Sequence, residues 1–562
     1  MTNIFSCFAT LIFYVSVSSC SSAVDKTPIS TNPVSISKGK AIFISNCSGC
    51  QNFNQRAIGP DLSGVTEQDS IGWLKEFILE PKKKIDAGDA HAKMLLADYH
   101  QLMPSFAFND TELNELISFL HTKNIRQKFS VDSLAIKNPV VEKIQASDIE
   151  PGLELISRLP PSSDQEPRTR ISKLDWIGSA KAWFILDQRG ILYKQQKNNP
   201  VEWLNISKWK SSFINQPGLG TGFGSFAFHP GFAKNGLFYT THTEAAHSKK
   251  ADFAIPDSVG QTLQWVLCEW KAENPDGDHF SGTNRELMRI DMASGIHGMQ
   301  EIIFNPAAKR GTQDYGQLYA GVGDGGSVEN GYAFLTKHPE RIWGTILRID
   351  PSGNNSVNGQ YGISNSNPFV KDSLASREIY AYGFRNPNKI TWTNEGLMLA
   401  TNIGQANIEA IDLVQKGHDY GWPFREGNFE MHPGNMMNNL YPLPANDSNL
   451  HITYPVAVYD HDEGKAIEGG YEYHGKAVPA LRGKYVFGDI PTGRLFYINI
   501  ADIRQGRLAI VKEWFVSMKS KRVTLHDLCG QDRVDLRLAT DAQGEIILST
   551  KADGKIYRVV KD

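Results

Sequence analysis

Residues 378–423 gather the chain's densest set of ligand-type groups. An Arg-Asn-Pro turn (Arg385, Asn386, Pro387) leads to a short strand ending at Ile403, Gly404 and Gln405, then to an acidic pair (Glu409, Asp412) and a Tyr420-Gly421-Trp422-Pro423 corner. A guanidinium, amides, backbone carbonyls and carboxylates so close together suit an anionic cofactor held beside a hard cation, because Arg pairs with carboxylates through a fork of donors and hard cations prefer oxygen. A second reactive pair stands far upstream, where Ser48 and Gly49 separate Cys47 from Cys50. In an exported protein such thiols either hold a group or close a local disulfide.

Composition sets the outer limits. The chain has 562 residues, 41% hydrophobic and 21% charged, enough for a large core and more than one domain. A formal net charge of -3 gives no reason to expect a nucleic-acid partner. Its 49 glycines punctuate short apolar runs, which predicts β structure rather than helix bundles. Residues 4–17 are an apolar run too short for a bilayer and suited to an export signal. The run ends in Val17-Ser18-Ser19-Cys20, similar to a bacterial lipoprotein cleavage box, so residues 1–20 read as a signal with Cys20 lipidated. An ordinary secretory cut after Ala23 is the alternative. The expected location is the periplasm or cell surface, with Cys20 as the one membrane attachment. Residues 21–36, rich in Ser, Thr and Pro, read as a flexible tether. Cys268 and Cys529 are read as incidental.

Residues 37–125 resemble a small cytochrome c domain. SKGKAIFISNCSGCQNF reads as a first helix entering a haem-attachment site, and IGPDLSGV as the turn beside haem. In LMPSFAFNDTELNELISFLHT, Met103 matches the distal ligand; Asn109 or Asp110 can cap the last helix, and Leu113, Leu116, Ile117 and Leu120 recur at helical spacing. The attachment motif is Cys-x-x-Cys-His, and here Gln51 stands in place of the His. An amide is a poor axial ligand, so the resemblance implies a cytochrome fold and haem c at Cys47 and Cys50, with iron weakly ligated or reached by His91 or His100.

Beyond an expected linker at 126–165, residues 166–562 show an internal repeat. Six times a turn leads into a short apolar strand ending near Gly or Asp, at 182–193, 236–244, 316–326, 396–404, 483–498 and 544–559. This spacing predicts a mainly β fold, a six-bladed β-propeller, preceded by the small all-α domain; a β-sandwich is the alternative. The propeller sequence resembles the glucose/sorbosone dehydrogenase family, soluble sugar dehydrogenases that use pyrroloquinoline quinone (PQQ). The carriers are GFGSFAFHPGFAKNG, LYAGVGDGGS, WGTILRIDPSG, YGISNSNPF and GDIPTGRLF in family order, together with the 378–423 segment.

That resemblance implies oxidation of an aldose at its anomeric carbon, with a His taking the hydroxyl proton and PQQ accepting hydride. His297 lies nine residues before Pro306, as the family's base does before its strand Pro; His279 is the rival. His229 and His242 read as structural. Arg385 and Asn386 match the pair that contacts PQQ, and Arg494, Arg533 and Arg537 the carboxylate binders, although Asp535 stands where the family often has a second Arg. Calcium is implied at the carbonyls of Gly404 and Gln405, with a second site at Glu409 and Tyr420. The cytochrome-like domain implies relay of electrons to a further acceptor. The competing reading is a non-catalytic propeller that binds carbohydrate or protein.

Overall fold

All six repeated motifs contain the second strand of a blade, and three of them, 182–193, 483–498 and 544–559, run on into the third; four of the six blade sheets have four strands, and the last two are extended to five and six. In this computed structural model the described residues are 28–48, 51–54, 59–99, 102–124, 132–164, 167–196, 199–216, 220–434, 436–531 and 533–561. The expected signal, Cys20 and Cys50 lie outside them. Blade 1 spans 171–205, blade 2 223–292, blade 3 301–382, blade 4 387–460, blade 5 467–514 and blade 6 536–560. The second strands are buried on both faces, which explains their unbroken apolar runs. Gly236 sits in the turn before one of them at φ 67°, where a Cβ would meet Ala272 O at 2.3 Å, so only glycine fits.

The first strand of each blade touches the first strands of both neighbours, which closes the ring. Closure needs a strand from elsewhere. Blade 6 takes three strands from 536–560 and its fourth from Gly152–Arg158, which pairs antiparallel with Lys555–Val560. Gln145–Ala146 adds to the edge of blade 5 beside Lys512–Trp514. The linker expected at 126–165 is therefore corrected: its second half is propeller, because the last blade would otherwise present an unpaired edge.

Ahead of the ring, helices Pro33–Asn46, Ile71–Leu79, Pro81–Asp86, Ala90–Tyr99 and Asp110–His121 build the small domain. Asn109 caps the last helix in a reciprocal pair with Glu112, and Leu113, Leu116 and Leu120 pack on Phe43. The first and last helices cross so closely at Gly39 that a Cβ there would lie 1.9 Å from Glu115 O.

The propeller axis is lined by charge. Lys173 Nζ of blade 1 lies 2.5 Å from Glu301 Oε1 of blade 3 and donates to Ile302 O at 2.9 Å. Lys389 Nζ of blade 4 is 3.4 Å from the other Glu301 oxygen, and Arg537 of blade 6 is 3.3 Å from Glu468 of blade 5. Removing one partner from such a buried set leaves an uncompensated charge. Glu301→Ala is expected to cost roughly 3–5 kcal/mol, read as a lower urea midpoint at unchanged slope, with partial recovery on adding Lys173→Met. An unshifted midpoint would show instead that water already solvates the axis.

Candidate active site

The residues leading into the inner strands converge at one mouth of the ring. There they line a cavity of about 260 Å3 whose opposite wall is the small domain. The propeller side presents Ser172, Gln188, His297, Asn386, Lys389, Arg533, Arg537 and Lys551; the small-domain side presents Cys47, Gln51, Phe77, Leu95, Leu96, Met103 and Phe106. One half is polar and cationic, the other mostly apolar.

His297 is held from below. It adopts a left-handed φ of 52°, in a loop where a Cβ at the next residue, Gly298, would collide with Trp265 Nε1 at 1.7 Å. Its Nδ1 is 2.8 Å from Asp324 Oδ1. A carboxylate only accepts, so Nδ1 carries the proton and Nε2 remains the acceptor of a ring that lines the cavity. Asp324 is fully buried, and burial alone would raise its pKa. His297, Arg385 and the Gly326 N–H outweigh that and hold it below the usual carboxylate range. Its second oxygen accepts from Trp422 Nε1 at 3.1 Å, and its own N–H donates to Arg385 O at 2.8 Å.

Arg385 is 3% exposed and fully engaged. Nε donates to Gln405 Oε1 at 2.9 Å, Nη1 to Gly404 O at 2.6 Å, and Nη2 pairs with the buried carboxylate of Glu329. The guanidinium also stacks over the Trp422 ring, 5.7 Å from its centroid. Loop 404–408 owes its shape to Glu426: Oε1 accepts from the N–H groups of Gln405, Ala406, Asn407 and Ile408 at 2.8–3.0 Å. Beside these groups, three buried polar atoms on cavity-lining residues have no partner among the described residues: Ser172 Oγ, Gln188 Oε1 and Asn386 Oδ1.

The structure thus brings together His297, Arg385, Asn386, Gly404, Gln405, Arg533 and Arg537. His279, the rival base, is exposed and bonded to Glu202 O at 2.9 Å, away from the cavity. His229 accepts from Gly231 N in its turn, and His242 is buried against Glu244. Three expectations are corrected. Arg494 is taken by carboxylates of the protein itself, Glu513 at 2.7 and 2.8 Å and Glu463 at 2.7 Å, and does not line the cavity. The Tyr420 hydroxyl donates to Leu413 O at 2.7 Å, while its ring stacks on Phe384. Both Glu409 oxygens are engaged inside the protein, one by His461 Nε2 at 2.9 Å and the other by Ile467 N at 2.8 Å, and burial pushes its pKa up to about 8. Of the donors expected at the first calcium site, Gly404 O accepts from Arg385 Nη1, which leaves one lone pair on that carbonyl.

Sequence reasoning passed over Asp324, Glu329, Glu426 and Lys551, and named Trp422 only as part of a corner. Asp324 sat inside a quoted Gly-Asp-Gly-Gly turn; Glu329, Glu426 and Lys551 carry no local signal.

The glucose/sorbosone dehydrogenase profile matches residues 173–558 and the cytochrome c profile residues 36–124. Over 303 residues the chain is 28% identical to HIPL1 protein of Arabidopsis thaliana, covering 47% of this chain and 42% of that one. Over 217 residues it is 24% identical to quinoprotein glucose dehydrogenase B of Acinetobacter calcoaceticus, covering 35% and 39%. The chain therefore spans less than half the length of these relatives. Among solved structures, the apo soluble aldose sugar dehydrogenase of Escherichia coli aligns with TM-score 0.50 at 17% identity, over 73% of this chain and 99% of that one, a likeness of fold. Since the first profile spans most of the propeller and more than half of the chain, the chain belongs to the glucose/sorbosone dehydrogenase family, and it carries a cytochrome c-type domain ahead of its propeller.

Proposed function

We propose that the protein is an aldose dehydrogenase using PQQ, with His297 as the base. The observation that carries this reading is the His297–Asp324 pair facing unpartnered polar atoms and a cationic wall in one cavity. The residues fit the cofactor: Arg533, Arg537 and Lys551 suit carboxylates, and Ser172 Oγ, Gln188 Oε1 and Asn386 Oδ1 are buried polar atoms awaiting partners. When bound, PQQ supplies a quinone carbonyl that accepts a hydride.

The chain's own contribution is positional and electrostatic. His297 Nε2 takes the proton of the anomeric hydroxyl while the C1–H bond gives up its electron pair as hydride, leaving a C1=O lactone. Asp324 keeps the ring in the required tautomer and stabilises the imidazolium that forms. Arg385, fixed by four acceptors behind the cavity-lining Asn386, contributes a buried positive field to the site that needs no reorganisation during reaction. Export and the Cys20 anchor belong to this proposal on sequence grounds, as does an external electron acceptor.

Haem fits less well. Cys47, Met103 and an apolar wall are in place, but Gln51 stands where the imidazole belongs. His91 cannot substitute as placed, since it lies 3.0 Å from Asp69 and stacks on Trp73. No electron step is therefore routed through haem.

Dye-linked oxidation of an aldose panel, with and without added PQQ, tests the enzyme reading. Turnover is expected only with PQQ, and His297→Ala should lower it roughly 100- to 10,000-fold. Asp324→Asn should lower kcat while leaving PQQ binding intact. Absence of both turnover and PQQ binding would leave a propeller kept for recognition. For the small domain, protein matured in a cytochrome c-competent host is expected to lack low-spin haem absorbance, and Gln51→His to gain it. A six-coordinate spectrum in the parent would restore the relay.

A further inference from the structure

Lys551 is a buried amine with nothing to hold. It follows directly on the second strand of blade 6 and lines the cavity at 6% exposure. Its backbone is pinned on both sides: its N–H donates to Val534 O at 3.2 Å, and its carbonyl accepts from Thr169 Oγ1 at 2.5 Å. The side-chain Nζ has no hydrogen bond or ion pair among the described residues. The amine is held there by main chain, so it cannot be a surface lysine that has folded inward.

Its surroundings are overloaded with positive charge. Arg533 and Arg537 share the cavity wall, and Arg170 lies close enough to repel it. The nearest carboxylate, Asp535, is spent on Arg533, whose Nε approaches to 2.5 Å. Arg537 has Glu468, while Arg170 sits between Asp187 and the like-charged Arg189. Guanidinium groups do not give up a proton near neutrality, so in this group only Lys551 can relieve the repulsion.

We propose that Lys551 is the proton-linked member of the carboxylate-binding wall, the cation that gives up its charge most readily while the cavity holds no anion and that regains a full charge when a ligand carboxylate enters beside Arg533 and Arg537. The inference rests on the quinone reading above, since the carboxylates are those of PQQ. It accounts for the departure at position 535, where an acid neutralises Arg533 and a lysine from the neighbouring strand supplies the cation. Burial first, then Arg537, Arg170 and Arg533, outweigh the attraction of Asp535 and push the amine down to about 7.

The sign follows by linkage. A ligand carboxylate raises the Lys551 pKa, so the complex binds more protons than the free protein. Binding is strongest where the amine is already charged, below pH 7, and weakens as pH rises above it. Calorimetric titration of the full-length protein with PQQ, in two buffers of different ionisation heat, reads this directly. The expected result is uptake of close to one proton at pH 8 and about half at pH 7, with affinity falling roughly tenfold from pH 8 to pH 9. Lys551→Arg should bind PQQ with that uptake removed and a flatter pH profile. Lys551→Met should bind more weakly, again without the uptake. Other groups at the mouth, His297 included, are common to all three proteins and cancel in the comparison. PQQ binding by the wild type without proton uptake, or equal uptake by Lys551→Arg, overturns the role of Lys551 and leaves the quinone reading standing. No PQQ binding by any of the three overturns the quinone reading and this role with it.

Discussion

The mouth of this propeller is built around one buried carboxylate. Asp324 has no exposed surface, and such a group stays ionised only if its surroundings compensate it in full. The compensation comes from separate stretches of chain: His297 before blade 3, the Gly326 N–H in its own turn, Trp422 at the corner after the third strand of blade 4, and the positive field of Arg385. Each partner is thereby fixed by the others. The base acquires its tautomer, the guanidinium its position and the Trp422 ring its cation, from the same contact set. A six-bladed ring suits this arrangement because it brings the starts of all inner strands to one place, so residues far apart in sequence meet without long loops.

A second carboxylate works by the same rule at smaller scale. Glu426 gathers four consecutive backbone N–H groups of loop 405–408, which leaves the preceding carbonyls of Ile403 and Gly404 turned to Arg385. Arg385 in turn draws on Glu329, which is as deeply buried. Acid, loop, base and acid thus form one chain of compensated charges. The axis extends the pattern with Lys173, Glu301, Lys389, Glu468 and Arg537, so charge runs through the middle of the ring while the blades around it stay apolar.

What the sequence disclosed divides along physical lines. Strand repeats, the six-blade count, the Asn109 cap and the helical core positions were legible because they depend on local periodicity and turn chemistry. His297, Arg385 and Asn386 were legible because they sit in ordered motifs. The closing strand at 152–158 was not, since a short segment rich in Pro and polar neighbours becomes a strand only when the ring offers it an edge. Arg494 shows the same limit: its motif suggested an anion binder, but Glu463 and Glu513, 31 and 19 residues away, reach it first. Lys551 is the converse case, an unremarked lysine that only the fold brings near three arginines.

The connector between the two domains decides how the cavity's halves meet. Ile136 N donates to Leu440 O at 2.8 Å, Tyr441 Oη to Asp132 at 2.9 Å, and Ile144 N to Glu463 at 3.1 Å, so the segment is stitched to blades 4 and 5 rather than swinging free. Val140 packs into the cluster that contains Trp422, the partner of Asp324. The described part of the connector is thus fastened beside the Trp422 corner, which shortens the free chain that can separate the two domains. The apolar wall bearing Cys47 and Met103 then roofs the same enclosure that His297 and Asn386 floor. The small domain thus supplies one wall of the enclosure through its fold. That contribution needs no haem, so a domain with Gln51 in place of its axial histidine still completes the cavity.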